Sequence, residues 1–273
     1  MTCNVGDISI GRGHPLTIIG GPCVLESLNL GLEIGQRLMD ACADCGLAYI
    51  FKASFDKANR SSIASPRGPG LAQGLQWLGE IRERLGAPIT TDVHEAGQAA
   101  AVADAVDLLQ VPAFLCRQTD LLVSCGEAAN RMGRAVNIKK GQFLSPAEMR
   151  GPIRKLAEAG CENVLLTERG TFFGYHRLVN DFTGLGDLME LGPPVCFDVT
   201  HSTQLPGSGD QTGGRPERAP LLARAAVAAG VDALFLECHP EPAMSLSDAA
   251  TTLTPEVARG IIENAARIRA ALV

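Results

Sequence analysis

The sequence predicts an α/β fold, a (β/α)8 TIM barrel with a short N-terminal β-hairpin. Three observations predict it. Eight short apolar runs alternate with eight longer segments of helical period. The runs lack polar alternation, which suits parallel strands covered by helices. The chain has 273 residues, and one such barrel commonly takes about 250, so residues 1–273 read as a single domain. A doubly wound open sheet would want a dinucleotide fingerprint after its first strand. The stretch that stands there, GGPCVLES from Gly20 to Ser27, does not match GxGxxG.

Residues 3–10 read as the hairpin, with Asn4 to Asp7 as its turn. The predicted barrel strands are 16–20 (LTIIG), 48–52 (AYIFK), 89–93 (ITTDV), 107–111 (DLLQV), 135–139 (AVNIK), 163–167 (NVLLT), 195–199 (VCFDV) and 233–237 (ALFLE). Helices are predicted near 28–45, 70–85, 95–104, 118–132, 146–159, 184–190, 217–229 and 255–271. Gly46, Gly86, Gly133, Gly160 and Gly230 stand where a helix gives way to the next strand. Glycine there accepts the left-handed conformation that closes a helix. Residues 204–218 (QLPGSGDQTGGRPER) are glycine-rich and lie between firm barrel elements, so they read as a lid over the site rather than a linker.

Composition narrows the function. A net charge of −6 argues against nucleic acid, which demands a basic face, and 4% aromatic residues argue against base-stacking platforms. No apolar segment reaches membrane-spanning length, and the N-terminus shows no basic region followed by an apolar run. Nine cysteines, an odd number in a chain this long, argue for reduced thiols and a cytoplasmic location. Most, such as Cys42, Cys45, Cys161 and Cys196, read as core residues.

The C-terminal ends of all eight predicted strands carry polar residues, and active sites of such barrels lie at that rim. Two subsets separate. Lys52, Lys57, Arg60, Arg117, Lys139 and Arg169 would form a basin for two phosphates, or for a phosphate and a carboxylate. Local pairing with a carboxylate is the competing reading for Arg117 and Lys140. The loop from Lys52 to Ser62 (KASFDKANRSS) is densest in donors, with Asp56 its one carboxylate. Cys23, His201, Glu237 and Asp248 form the second subset, a mixed sulfur, nitrogen and oxygen donor set of the kind that holds a catalytic divalent metal. Taken alone, Cys23 reads as a buried thiol, and spacing does not decide between the two.

GGPCVLES, FKASFDKANRSS, TDVHE, LLQVPAFLCRQTDLL, VNIKKGQF, TERGTFFGYHRLVND, FDVTHSTQLPG and LECHPEPAMSLSDA carry a resemblance that spans about residues 18 to 250. The sequence resembles the 3-deoxy-D-manno-octulosonate-8-phosphate synthases. KANRS is the most discriminating stretch, since the sister 3-deoxy-arabino-heptulosonate-7-phosphate synthases typically carry Lys-Pro-Arg-Thr-Ser there. The resemblance implies condensation of phosphoenolpyruvate with D-arabinose 5-phosphate, on the way to lipopolysaccharide core sugar. It implies that Lys57, Lys139 and Arg169 hold the phosphate and carboxylate of phosphoenolpyruvate, with Lys52, Gln110, Pro112 and Ala113 lining the same pocket. Asn59, Arg60 and Ser61 match positions that contact arabinose 5-phosphate. Arg117 matches an arginine that reaches a neighbouring subunit's sugar phosphate, which implies a homotetramer. Lys57, Asn59, Asp92, His94 and His201 match residues expected in the chemistry, His201 touching substrate as well. Cys23, where a metal-independent branch has Asn, places the chain with metal-dependent members. His201, Glu237 and Asp248 match the other ligands, for Zn, Fe(II) or Mn. Cys238 is an extra thiol beside them. Use of erythrose 4-phosphate instead, a sialic-acid-type synthase, and a silent sugar-phosphate sensor are the competing functions.

Overall fold

The computed structural model describes residues 1–60, 63–173, 175–207 and 212–272. Eight parallel strands close into a barrel: β1 (Thr17–Gly21), β2 (Ala48–Lys52), β3 (Ile89–Asp92), β4 (Leu108–Val111), β5 (Ala135–Lys139), β6 (Val164–Glu168), β7 (Val195–Asp198) and β8 (Ala233–Glu237). Each pairs with its neighbour in chain order, and β8 returns to β1 from Ala233↔Thr17 to Glu237↔Gly21. The predicted strands are therefore found with ends shifted by at most one residue.

Eight helices alternate with the strands among the described residues: α1 (Leu28–Asp44), α2 (Leu71–Leu85), α3 (Ala99–Ala105), α4 (Thr119–Met132), α5 (Arg150–Glu158), α6 (Phe182–Met189), α7 (Ala219–Ala229) and α8 (Pro255–Ala271). α1 starts where the Ser27 side chain accepts from the Leu30 amide at 3.2 Å. Its buried Ile34, Leu38, Ala41 and Cys42 recur at helical spacing and face the barrel. Burying a side chain the size of Ile34 or Leu38 contributes about 1.5–3 kcal/mol. The segments predicted at 95–104, 146–159 and 217–229 each begin with a 3-10 turn (Ala96–Gln98, Pro146–Met149, Pro216–Arg218) before the α-helix takes over. α6 starts two residues earlier than predicted, because the Asp181 side chain accepts from the Thr183 amide and caps it. The five helix-closing glycines all have positive φ, as predicted.

The N-terminal hairpin pairs Cys3–Val5 with Ile8–Ile10. Its turn is Gly6–Asp7, not Asn4–Asp7: Asn4 lies in the first strand, fastened by Asn163 at both its amide and carbonyl. Gly6, at φ 59°, supplies the left-handed turn residue. Cys3, Val5 and Ile10 are fully buried and pack beneath an inner cluster of Ile19, Ile50, Leu108, Leu165 and Phe235. The hairpin thus plugs the barrel from below. A second, larger cluster fills the space between barrel and helices.

Side chains alternate across each strand. The inner apolar cluster is therefore followed, two residues on, by an inner polar ring. Ile50 leads to Lys52, Leu108 to Gln110, Leu165 to Thr167, Cys196 to Asp198 and Phe235 to Glu237. This ring is the floor of the rim. Two hairpins rise beside it, Thr171–Phe172 with Leu178–Val179 and Gln204–Leu205 with Gly213–Gly214. The second is the base of the expected lid; Ser208 to Gln211 at its tip lie outside the described residues.

Candidate active site

β1 and β2 approach closely at the rim. A Cβ on Gly21 would lie 2.0 Å from the Lys52 carbonyl oxygen, so only glycine fits. Lys52 then reaches across: its Nζ donates to the Cys23 carbonyl at 2.9 Å and to Glu237 Oε1 at 2.5 Å. Opposite, Lys139 Nζ donates to Asp198 Oδ2 at 2.7 Å and lies 3.7 Å from the Phe235 ring centroid, a cation–π contact. Lys52 and Lys139 are both buried, and each is held by a carboxylate.

Asp198 is fully buried and accepts from Lys139, from the His201 amide at 2.9 Å and from His201 Nδ1 at 2.8 Å. Burial opposes its charge, but His201, Lys139 and Arg169 outweigh that and hold its carboxyl well below the usual range. With Nδ1 donating to Asp198, the His201 imidazole presents Nε2 toward Glu237 Oε2, 3.5 Å away. Glu237 Oε2 itself is buried without a hydrogen-bond partner among the described residues. Burial likewise works against the Glu237 charge, and Lys52, His201, Lys57 and Lys139 push its pKa down.

Cys23, Glu237 and Asp248 bring one ligand atom each within 4.8 Å of one another. The Cys23 thiol donates to Asp248 Oδ2 at 3.1 Å. Burial and then Glu237 push this thiol up, so it keeps its proton in the absence of a cation. Asp248 has φ 51°, a left-handed conformation unusual for a non-glycine residue. Ser247 Oγ and Gln204 Nε2 also donate to its carboxylate, at 3.2 and 3.0 Å. A thiol, the buried Glu237 carboxylate with its orphaned oxygen and the half-buried Asp248 carboxylate are a donor set that suits a divalent cation. Of the four expected ligands, His201 stands just outside this group, because Asp198 anchors its ring on the Nδ1 side.

The remaining cations divide. Lys57 Nζ is 4.0 Å from Asp248 Oδ2. Burial would lower its pKa, but neighbouring Cys23, Glu237, Asp248 and Asp92 raise it above the ordinary lysine range. Since the thiol keeps its proton, the carboxylates are what keep Lys57 charged. Arg169 is buried; its Nη2 donates to Gln204 Oε1 at 2.5 Å, while its Nη1 has no partner among the described residues. Burial lowers the Arg169 pKa, yet a guanidinium starts so high that it stays charged. Arg60 Nε is also a buried donor without a partner among the described residues. Lys140 pairs with Glu168 at 3.4 Å, so the local-pairing reading holds for it. Arg117 is exposed and makes no ion pair among the described residues.

Asp92 accepts from Ser54 Oγ in a short hydrogen bond and from Gln110 Nε2 at 2.5 Å. Burial would raise its pKa, and Lys52, His94, Lys57 and Lys139 outweigh that, leaving it ionised. His94 packs edge-on to Phe55, its ring centroid 5.5 Å away. Burial pushes its pKa down, and its Nδ1 is buried without a partner among the described residues. Pro112 and Ala113 follow β4 beside Gln110, and Asn59 is exposed on the loop. Ser61 lies outside the described residues.

The DAHP synthetase I family matches residues 2–268 of this chain. The 2-dehydro-3-deoxyphosphooctonate aldolase of Cyanothece sp. is 50% identical over 267 residues, covering 97% of this chain and 96% of that protein. Those of Synechococcus sp. and Syntrophotalea carbinolica are 50% and 49% identical, over 98% and 92% of this chain and 94% and 90% of theirs. The chain belongs to the DAHP synthetase I family, on its 2-dehydro-3-deoxyphosphooctonate aldolase branch. In this family member the strand ends bring together Lys52, Gln110, Lys139, Arg169, Asp92 and the Cys23–Glu237–Asp248 group, as the sequence suggests. Asp198, Phe235, Ser54 and Gln204 join them without a role assigned from the sequence. The period-two alternation carries a signal for Phe235 and Asp198, which share the inner face with Glu237 and Cys196. Gln204 carries none, since its partners lie 35 and 44 residues away.

Proposed function

We propose that the chain condenses phosphoenolpyruvate with D-arabinose 5-phosphate and water, giving 3-deoxy-D-manno-octulosonate 8-phosphate and inorganic phosphate for the lipopolysaccharide core. The observation that carries it is the buried Arg169, whose Nη1 lacks a partner among the described residues beside the lysine-lined floor. A buried donor of that kind costs stability unless an anion completes it. The relatives, named for this product, support the same reading.

In this reading Arg169, Lys139, Lys57 and Lys52 bind the phosphate and carboxylate of phosphoenolpyruvate over Phe235, and Gln110, Pro112 and Ala113 line its pocket. Asn59, Arg60 and Ser61 bind arabinose 5-phosphate, with Arg60 Nε, unpartnered among the described residues, assigned to its phosphate. The cations hold two mutually repelling anions close enough for C3 of the enol to attack the aldehyde carbon while water adds at C2. The C2–O bond to phosphate then breaks; of the two protons the water gives up in becoming the C2 carbonyl oxygen, one goes to the departing phosphate and the other to the aldehyde oxygen. Asp92, ionised and accepting only, cannot supply that proton; it fixes Ser54 and Gln110. His94, neutral and with its Nδ1 unpartnered among the described residues, is assigned that exchange. Cys23, Glu237 and Asp248, with His201 beside them, would hold a divalent cation, Zn, Fe(II) or Mn. Such a cation supplies Lewis acidity toward an oxygen of substrate or water. His201 Nε2 is oriented by Asp198 toward the same place.

The working unit in this reading is a cytoplasmic homotetramer. Arg117 is exposed and free of ion pairs among the described residues, and three residues before it Phe114 belongs to a group of exposed rings, with Phe143 at 6.5 Å and Phe172 at 6.4 Å. An exposed aromatic patch of this kind supports an oligomeric face. The deciding experiment offers phosphoenolpyruvate with either arabinose 5-phosphate or erythrose 4-phosphate and measures phosphate release. Release with the five-carbon sugar alone is expected. Preference for erythrose 4-phosphate would assign the heptulosonate chemistry, and no release with either would leave a binding protein.

A further inference from the structure

Inside the barrel a row of polar side chains crosses five consecutive strands. Ser54 stands just past β2, Asp92 on β3, Gln110 on β4, Asn137 on β5 and Thr167 on β6. Asp92 and Gln110 are register partners, as are Gln110 and Asn137. Ser54, Gln110, Asn137 and Thr167 are at most 1% exposed, so their polar atoms must find partners within the protein. They find one another. Thr167 Oγ1 donates to Asn137 Oδ1 at 2.7 Å, Asn137 Nδ2 to Gln110 Oε1 at 3.0 Å, and Gln110 Nε2 to Asp92 Oδ1 at 2.5 Å, while Ser54 Oγ donates to Asp92 Oδ2.

The row runs one way, and Asp92 sets its direction. A carboxylate only accepts, so Gln110 must turn its NH2 toward Asp92 and its carbonyl away. That carbonyl then faces Asn137, which must meet it with its own NH2. The Asn137 carbonyl in turn faces Thr167, whose hydroxyl donates. Reversing any one amide would set carbonyl against carbonyl or against carboxylate in a site closed to water. Gln110 Nε2 carries two hydrogens and gives one to Asp92. The other has no acceptor among the described residues.

We propose that Asn137 is a positioning residue for phosphoenolpyruvate: Asp92 sets which end of the Gln110 amide is the donor, and Asn137, by anchoring the Gln110 carbonyl, fixes the plane of that amide and so the aim of its second N–H at the substrate. This rests on the proposed place of Gln110 in the phosphoenolpyruvate pocket. Asn137 acts only through Gln110. Without its NH2, the Gln110 carbonyl loses its donor, and the amide, still tied to Asp92 at its other end, swings out of the plane that aims its second N–H at the anion.

The test is a double-variant cycle read by calorimetric binding of phosphoenolpyruvate to the whole enzyme, without turnover. Asn137→Leu and Gln110→Leu are each expected to weaken phosphoenolpyruvate about tenfold, the loss of one hydrogen bond to a charged ligand. Arabinose 5-phosphate binding should stay within about twofold. Combined, the two substitutions should weaken phosphoenolpyruvate no more than Gln110→Leu alone, because the second has nothing left to orient. Losses that multiply would overturn the proposal, as would a folded Asn137→Leu enzyme that binds phosphoenolpyruvate as wild type does. Should Asn137→Leu fail to fold, Asn137→Ala removes the donor without adding bulk or charge. It is expected to cost the same tenfold, and unchanged affinity would overturn the idea equally. A wild-type enzyme that does not bind phosphoenolpyruvate would refute the functional reading itself, which these variant comparisons do not.

Discussion

Asp198→Asn changes one buried charge at nearly constant shape. The carboxylate lies 2.7 Å from Lys139 Nζ, with the two side chains 0% and 8% exposed. At an effective dielectric of about 20, that separation corresponds to roughly 6 kcal/mol of Coulomb attraction. The net loss is smaller. An asparagine oxygen still accepts from Lys139, and the Phe235 ring still faces the ammonium at 3.7 Å. Breaking a buried pair typically costs about 3–5 kcal/mol, so a loss of about 3 kcal/mol is expected. Urea unfolding of the wild-type and variant enzymes, with chelator present in both, measures it. The pH dependence gives a second check. The folded pKa of Asp198 is depressed, so its stabilisation is present above the unfolded value of about 4 and is lost as pH falls through the folded one. The difference between the two proteins should therefore hold steady from about pH 8 down to about pH 5 and narrow only in stronger acid. A difference under about 1 kcal/mol at neutral pH would refute the view that this pair holds the floor together.

Arg60→Ala should weaken arabinose 5-phosphate by about 2 kcal/mol and phosphoenolpyruvate much less; equal losses in separate titrations would move Arg60 out of the sugar-phosphate site. Mixing Arg117→Ala with Lys139→Ala, each inactive alone, should restore part of the activity in hybrid oligomers, and none in verified hybrids would show that Arg117 serves its own subunit. Chelation should abolish wild-type activity, and Mn(II), Fe(II) or Zn(II) should return it; activity indifferent to exhaustive chelation would remove the cation from the reaction. Metal-stripped Cys23→Asn should retain measurable turnover, since its amide still hydrogen-bonds at that place, with elemental analysis confirming that no metal is bound.

Much of the fold is legible in the chain because the barrel repeats one rule. Each strand is buried on both faces, so it lacks the polar alternation of a half-exposed strand, and each helix-closing glycine has the positive φ its position implies. The hairpin turn starts two residues later than the sequence suggests because Asn4, a common turn residue, is here a strand residue fastened by the distant Asn163. In the site, strand ends disclose which polar residues meet but not how they pair. Six cations read as a free basin, yet Lys52 and Lys139 are tied to Glu237 and Asp198, 185 and 59 residues away. Pairings across such separations depend on side-chain reach and register, which periodicity does not carry. The Cys23 and Asp248 juxtaposition, 225 residues apart, likewise needs the closed barrel to appear.

The plug at the barrel's base has a consequence for traffic. Cys3, Val5 and Ile10 seal one end, and the column above them is packed up to Phe235, directly beneath Lys139. Among the described residues the barrel is closed at its base, and the site opens at the rim. Two substrates, water, the sugar product and the released phosphate must all share that opening. Whatever enters first lies deepest, against Phe235, and whatever enters last must leave before it. With phosphoenolpyruvate on that floor, as proposed, arabinose 5-phosphate becomes its stopper.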